Sequence, residues 1–385
     1  LSQAWKKAEL SLEVAILLIG GLAMLVAGLC LSFALSGRVP FYENGLHGLI
    51  LVIFSLQMLT LGKTPFGDLK ARGLLLTMGV IISAVGIVTC LVPSVGLWPR
   101  HLVILCLGAG GLALLLQMFW DPEKFSTWIR TGGTVAALVP ACCAVYGCSM
   151  MIAILLALRG PLDSWLMAPA LLTYGVVIST LAMVLHRVYS LAGVKEATGA
   201  VGLSVDHVFL LLTGIFMLLL GAVLVPVNLG LLAFSGSAQL GLLMMVFALQ
   251  MVTTGSTPVG PFPRSWPMVG LGLAVSAVGT VSCLIPELLS AALTVVVAIL
   301  NLLGGVGGLI FAQPASGAVP AARRTLNALA IIFGASMLFS HLIPGAALAV
   351  ILMLNGCVLL YLLRALQVLK GPSHSSQGPA DHPEG

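Results

Sequence analysis

The chain alternates between long apolar runs and short polar breaks. Twelve runs can be marked: near 14–36, 46–62, 73–93, 101–119, 134–157 and 165–187, then near 205–227, 239–255, 267–286, 290–312, 325–343 and 346–366. Most approach the roughly 20 residues that cross a bilayer as a helix. Apolar residues are continuous within a run, whereas the strands of a membrane barrel would alternate. A backbone in lipid must satisfy its own hydrogen bonds, so helices are the reading that remains. The pattern predicts an all-α polytopic membrane protein of about twelve transmembrane helices.

The pattern also repeats. Residues 11–105 return as 204–298 at a constant offset of 193, without a gap. FSLQMLTLGKTPFG (54–67) becomes FALQMVTTGSTPVG (247–260), and GVIISAVGIVTCLVP (79–93) becomes GLAVSAVGTVSCLIP (272–286). The match weakens after the fourth run, but Gly147 and Ser149 still find Gly334 and Ser336, and Gly175 finds Gly356. A tandem duplication of one membrane unit is the economical reading. It divides the chain into a first six-helix repeat (1–190), a linker (191–203), a second six-helix repeat (204–370) and a tail (371–385) whose polar, Pro/Gly-rich sequence predicts disorder.

Charge orients the repeats. With the N-terminus placed in the cytoplasm, fourteen Lys and Arg fall in cytoplasmic segments and three, Arg38, Arg100 and Arg159, fall outside. That bias fits the positive-inside rule only if each half has an even number of spans. The halves are therefore expected to be parallel, related by an axis along the membrane normal. Both termini are expected in the cytoplasm of an inner or plasma membrane. The first run lacks a small-residue cleavage site and recurs in the second copy, so it reads as a retained helix. Segment 121–130 reads as a short interfacial helix.

Composition excludes several function classes. Hydrophobic residues make up 59% and charged residues 8% of the chain, at a mean hydropathy of +1.14. A soluble domain carries roughly 25% charge. The net charge of +5 is scattered in ones and twos, which excludes a nucleic-acid patch. The eight cysteines show no zinc spacing and read as small buried hydrophobes, Cys142, Cys143 and Cys148 being the one grouping. No histidine falls at mid-span, so no haem is expected, and no catalytic loop motif is present. The chain reads as no enzyme and needs no cofactor.

The polar and small residues inside the runs mark packing sites. Glycines seven apart lie on one helix stripe: Gly21 and Gly28, Gly79 and Gly86, Gly214 and Gly221, Gly272 and Gly279. Such stripes let helices approach closely in lipid. Gln57 and Gln250, with Ser83 and Ser276, are expected at the interface between the repeats. Glu13 and Asp206 match each other at a helix N-terminus, where a carboxylate is favourable. His47, His101 and His341 are expected at the outer face, where an acid exterior would charge them first. Besides the lipid bilayer, a membrane protein partner is a candidate for the charged loop 63–72, whose Lys63, Asp68, Lys70 and Arg72 face Ser256, Pro261, Pro263 and Ser265 in the second copy.

The tight hairpins SAVGTVSCLIPELLSAALTVVVAILNLLGGVGGL (276–309) and IIFGASMLFSHLIPGAALAVILMLNGCVLLYLL (331–363) resemble those of the six-helix HdeD-like membrane proteins. That resemblance implies a non-catalytic, stress-associated module or a scaffold for membrane partners. The two parallel six-helix halves look like the major facilitator superfamily. That likeness implies instead a transporter, here of a neutral or apolar solute, since no mid-membrane carboxylate is available for proton coupling. The family's charged loop after its second helix is matched only by Gly67, Asp68, Lys70 and Arg72. The anchor subunit of a larger complex is a third reading.

Overall fold

The computed structural model describes Ala8, Leu10 and residues 11–61, 63–64, 67–68, 72–120, 133–158, 161–192, 205–257, 260–311, 317–339 and 343–370. The first helices in chain order are α1 (Leu12–Leu35), α2 (Glu43–Leu61), α3 (Arg72–Leu91), α4 (Trp98–Trp120), α5 (Gly133–Leu158) and α6 (Pro161–Ala192). They are followed by α7 (Val205–Asn228), α8 (Gly236–Thr253), α9 (Trp266–Leu284), α10 (Ser290–Ile310), α11 (Ala318–Leu338) and α12 (Gly345–Lys370). Two-residue antiparallel strands turn the chain after α2 (β1, Lys63–Thr64; β2, Gly67–Asp68) and after α8 (β3, Ser256–Thr257; β4, Gly260–Pro261).

Ten helices among the described residues are long and apolar enough to cross a membrane. The two expected spans that fall short are α2, whose described apolar stretch is only Glu43–Leu59, and α11, which carries Arg323 and Arg324 near its start. Large apolar side chains at mid-helix, such as Leu29, Ile81, Leu112, Ile154 and Leu354, are exposed. A soluble monomer rarely shows so much open apolar surface, and lipid is the solvent that suits it. The chain is a membrane-embedded helical protein. Segment 121–130, most of linker 191–203, the tail, His341 and half of loop 63–72 lie outside the described residues.

Helix starts follow local chemistry. Ser11 caps α1, its hydroxyl accepting from Val14 N at 3.3 Å, and Ser235 caps α8 in the same way, accepting from Ala238 N at 3.3 Å. Pro267 sits in the first turn of α9, where no backbone donor is missed.

Helix pairing is the same in both halves. In the first, α1 packs on α6, α2 on α3 and α4 on α5; in the second, α7 packs on α12, α8 on α9 and α10 on α11. Glycines set these contacts. A Cβ on Gly28 would lie 2.9 Å from Ala168 O, and one on Gly21 would lie 3.1 Å from Gly175 O. Gly221 and Gly214 face Ala349 and Gly356 in the corresponding way. Gly86 packs on Gly48 and Gly279 on Gly241, with virtual Cβ-to-carbonyl distances of 2.9 and 2.8 Å. Gly79 rests against Leu59 and Gly272 against Val252. No other side chain would fit the close backbone approach of these pairs.

The halves meet through α1, α2 and α3 of one and α7, α8 and α9 of the other, α1 lying on α9 and α3 on α7. Leu49, Leu56, Phe216, Leu242 and Leu249, each 5% exposed or less, fill this seam. They leave a void of only about 20 Å³.

Candidate functional site

The two faces of α2 set the interior of the first half. Leu49, Val52 and Leu56, spaced three and four apart, turn toward the other half. Ile50, Phe54 and Gln57 share the next face and turn away from the seam. There they border a cavity of about 570 Å³ enclosed by α1, α2, α4, α5 and α6. Its size is in the range that holds a small-molecule ligand.

The walls are mostly aliphatic, and polar groups gather toward one end. Glu13 and Gln57 border the cavity from α1 and α2, Gln117 from α4 and Tyr189 from α6. The Tyr189 hydroxyl donates to Glu13 Oε2 at 2.6 Å, tying the last turns of α6 to the first turn of α1. Gln117 is exposed and Glu13 and Gln57 are half-buried, so the cavity opens at this end. At the other end Met24, Ile50, Leu107, Ile152 and Leu171 are each 5% exposed or less. Between the ends stand Tyr146, Ser149 and Tyr174. The Ser149 hydroxyl donates back to Tyr146 O at 2.8 Å. Tyr174, 9% exposed, faces the cavity with its hydroxyl unpartnered among the described residues.

A departure from the repeat opens this space. Residues Leu105–Ala109 of α4 form a π-helical turn, and Cys106 and Leu107 within it line the cavity. The matching stretch of α10 is plain α-helix. A π turn rotates the later turns of a helix relative to the earlier ones. Gly334 accordingly packs on α10, its virtual Cβ 2.8 Å from Ala298 O, whereas its counterpart Gly147 meets nothing within 4 Å. In the first half Gly111 takes the contact, against Ser149. Side-chain volume differs too. Ile16 of the cavity wall corresponds to the buried Phe209, and Gly20 corresponds to Thr213.

Of the polar residues expected between the repeats, Gln57 lies elsewhere. Gln57 borders the cavity, and no hydrogen bond joins it to Gln250, which is half-buried on α8. The face of α2 that carries Gln57 turns away from the seam. Ser276 donates to Met245 Sδ at 3.4 Å within its own half, and Ser83 is fully buried with no partner. Of the histidines, His101 is exposed, its ring Nδ1 2.9 Å from Leu97 O. His47 is only 4% exposed, so it is a core residue and not part of an outer surface. Cys142 borders the cavity, while Cys143 and Cys148 do not.

The cavity also contains residues that the sequence did not single out: Gln117, Tyr146, Tyr174 and Tyr189. A signal was present. Three of the chain's five tyrosines fall on α5 and α6, and the second copy puts Phe333, Asn355 and Lys370 in their places. Among the described residues no three His, Cys, Asp or Glu side chains converge. What the site offers is shape, apolar surface, neutral hydrogen-bonding groups and the one carboxylate of Glu13. No protein-family model, curated protein or solved structure matches this chain.

Proposed function

We propose that the protein is a non-catalytic integral membrane module of twelve spans, arranged as two parallel six-helix repeats. Its first repeat holds a neutral or apolar small molecule. The observation that carries this reading is the location of the space: about 570 Å³ inside the first half, against a void of about 20 Å³ among the buried leucines of the seam. A transporter that rocks one half against the other places its substrate between them. A seam filled with buried leucines supports a fixed scaffold instead. The charge bias puts the Glu13 end of the cavity in the cytoplasmic leaflet. The hairpin resemblance to HdeD-like proteins agrees with a module of this kind, stress-associated or serving membrane partners. One observation favours a facilitator: the cavity runs along much of the length of α5 and α6.

The test is native mass spectrometry of the protein released from membranes. The parent is expected to retain a non-protein mass, and Gly20→Leu is expected to lose it. Gly20 borders the cavity with its nearest neighbour, Ile53, at 3.7 Å, and the second copy tolerates Thr213 there. A leucine therefore fills the cavity more than it strains the fold. A parent without retained mass sinks the reading.

A further inference from the structure

We infer that the cavity is shaped for one extended hydrocarbon chain with an uncharged, hydroxyl-bearing head seated at the Glu13 end. The inference rests on the binding role proposed above and names the class of ligand.

The shape is the first argument. On α6 the lining runs from Tyr189 to Leu171, about 27 Å at 1.5 Å per residue. On α5 it runs from Leu138 to Ile152, about 21 Å, and on α4 from Met118 to Cys106, about 18 Å. A volume of about 570 Å³ spread over some 20 Å describes an elongated space. A round chamber of that volume would be about 10 Å across, the form that suits a compact ring system. A long, narrow slot suits a single flexible chain.

The distribution of polarity is the second argument. The closed end, with Met24, Ile50, Leu107, Ile152 and Leu171, offers only apolar surface, and each CH₂ buried there contributes about 0.8 kcal/mol. The open end presents the amides of Gln57 and Gln117 with the Glu13–Tyr189 pair. Amides both donate and accept, and the carboxylate accepts. A hydroxylated head satisfies such a mixed set. No Lys or Arg is among the described residues that line the cavity. An anionic head would meet the Glu13 carboxylate, so a free fatty acid is disfavoured. The polarity gradient also matches a ligand drawn from one leaflet of the bilayer, head outward and chain inward.

The test uses the full chain in lipid nanodiscs and a monopalmitoyl glycerol carrying a photoreactive diazirine at the end of its chain. After irradiation, peptide mapping is expected to place the label at the closed end, near Met24, Ile50, Ile152 or Leu171. Gly20→Leu and, on a separate helix, Ile178→Trp are each expected to reduce that label at least tenfold. The lipid-facing Leu29 and Leu112 serve as the reference for labelling from bulk lipid. Label confined to such residues, unaffected by either variant, overturns the inference. Unlabelled monopalmitoyl glycerol is expected to compete and palmitate is not. Equal competition by palmitate, or stronger competition by a long-chain quaternary ammonium, overturns the assignment of an uncharged head. A retained mass that Gly20→Leu removes, together with label only on lipid-facing residues, would sink the chain ligand while leaving the binding role in place. Absence of any retained mass would sink the binding role itself.

Discussion

The backbone amide of Tyr42 donates to the carbonyl of Leu284 at 2.8 Å, across the seam between the halves. Its counterpart in the repeat, Ser235, donates to Leu91, the counterpart of Leu284, at 2.9 Å. Reciprocal pairs of this kind are the signature of a two-fold contact, here within one chain. Tyr42 also sends its hydroxyl to Cys90 O at 3.0 Å. Burial, with the thiols of Cys90 and Cys283 nearby, pushes its phenol above the ordinary tyrosine range. A group held neutral this way suits a seam that excludes water.

A packed seam should behave as a core. Leu56 is 1% exposed there, and Leu29, on the lipid side of α1, is 50% exposed. Leu56→Ala is expected to destabilise by about 2–5 kcal/mol, whereas Leu29→Ala changes little in a lipid-like solvent. Thermal unfolding of both variants in one detergent checks this. Equal melting temperatures would mean that the halves do not pack as described.

Glycine contacts separate cleanly by geometry. Gly86 and Gly279 face carbonyls of the neighbouring helix, while Gly147 and Gly307, also inside helices, meet nothing within 4 Å. Leucine at 86 or 279 is expected to cost about 1–3 kcal/mol by overpacking. At 147 or 307 it should be neutral or mildly stabilising, since glycine is itself a poor helix former. A stability scan that ranks the four alike would remove the packing role.

Much of this was legible in the chain. The glycine stripes and the apolar runs are local or periodic signals: the stripe glycines face neighbouring helices, and ten helices among the described residues are long and apolar enough to cross a membrane. Facing was not legible. Gln57 and Leu56 are neighbours in sequence, yet one borders the cavity and the other fills the seam. Which neighbour does which depends on the partner helices, and those are chosen by long-range packing. The cavity was hidden for the same reason. It needs five helices, a π turn at Leu105–Ala109 and the small Gly20 together, and none of these stands out alone.

Ser83 and Ser276 occupy equivalent places with unequal satisfaction. The Ser276 hydroxyl reaches Met245 Sδ at 3.4 Å, and Thr280 reaches the same sulfur at 3.6 Å. The residue matching Met245 is Val52, so Ser83 has no such acceptor and its hydroxyl is buried unpaired. An unsatisfied buried hydroxyl costs about 1–3 kcal/mol. Ser83→Ala is therefore expected to raise the melting temperature, and Val52→Met to raise it by supplying the missing sulfur. A lower melting temperature for Ser83→Ala would show that the hydroxyl has a partner after all.

Orientation rests on charge alone and can be tested alone. A twelve-span topology would place fourteen of seventeen Lys and Arg on one side, and on that basis both termini are expected in the cytoplasm. A C-terminal reporter that is active only outside the cytoplasm should stay silent. Activity would reverse the assignment of the cavity's open end.

The Glu13–Tyr189 pair borders the open end of the cavity, where α1 begins and α6 ends. Its 2.6 Å hydrogen bond has an acceptor that carries charge, which makes it stronger than a neutral bond. Both residues are only half-buried, so solvent screens the pair and its net contribution is about 1 kcal/mol. Tyr189→Phe keeps the ring against the wall and removes the donor. Glu13→Gln keeps the shape of the acceptor and removes the charge. Because Glu13 makes further interactions, its single substitution mixes several losses, and a double-mutant cycle isolates the shared one. A coupling of roughly 0.5–1.5 kcal/mol is expected in thermal or denaturant unfolding. The same cycle read on the retained mass should show looser binding in each single variant, because the pair forms part of the cavity's open end. If the effects on stability add while binding is unchanged, the hydrogen bond only fastens a helix end and takes no part in holding a ligand.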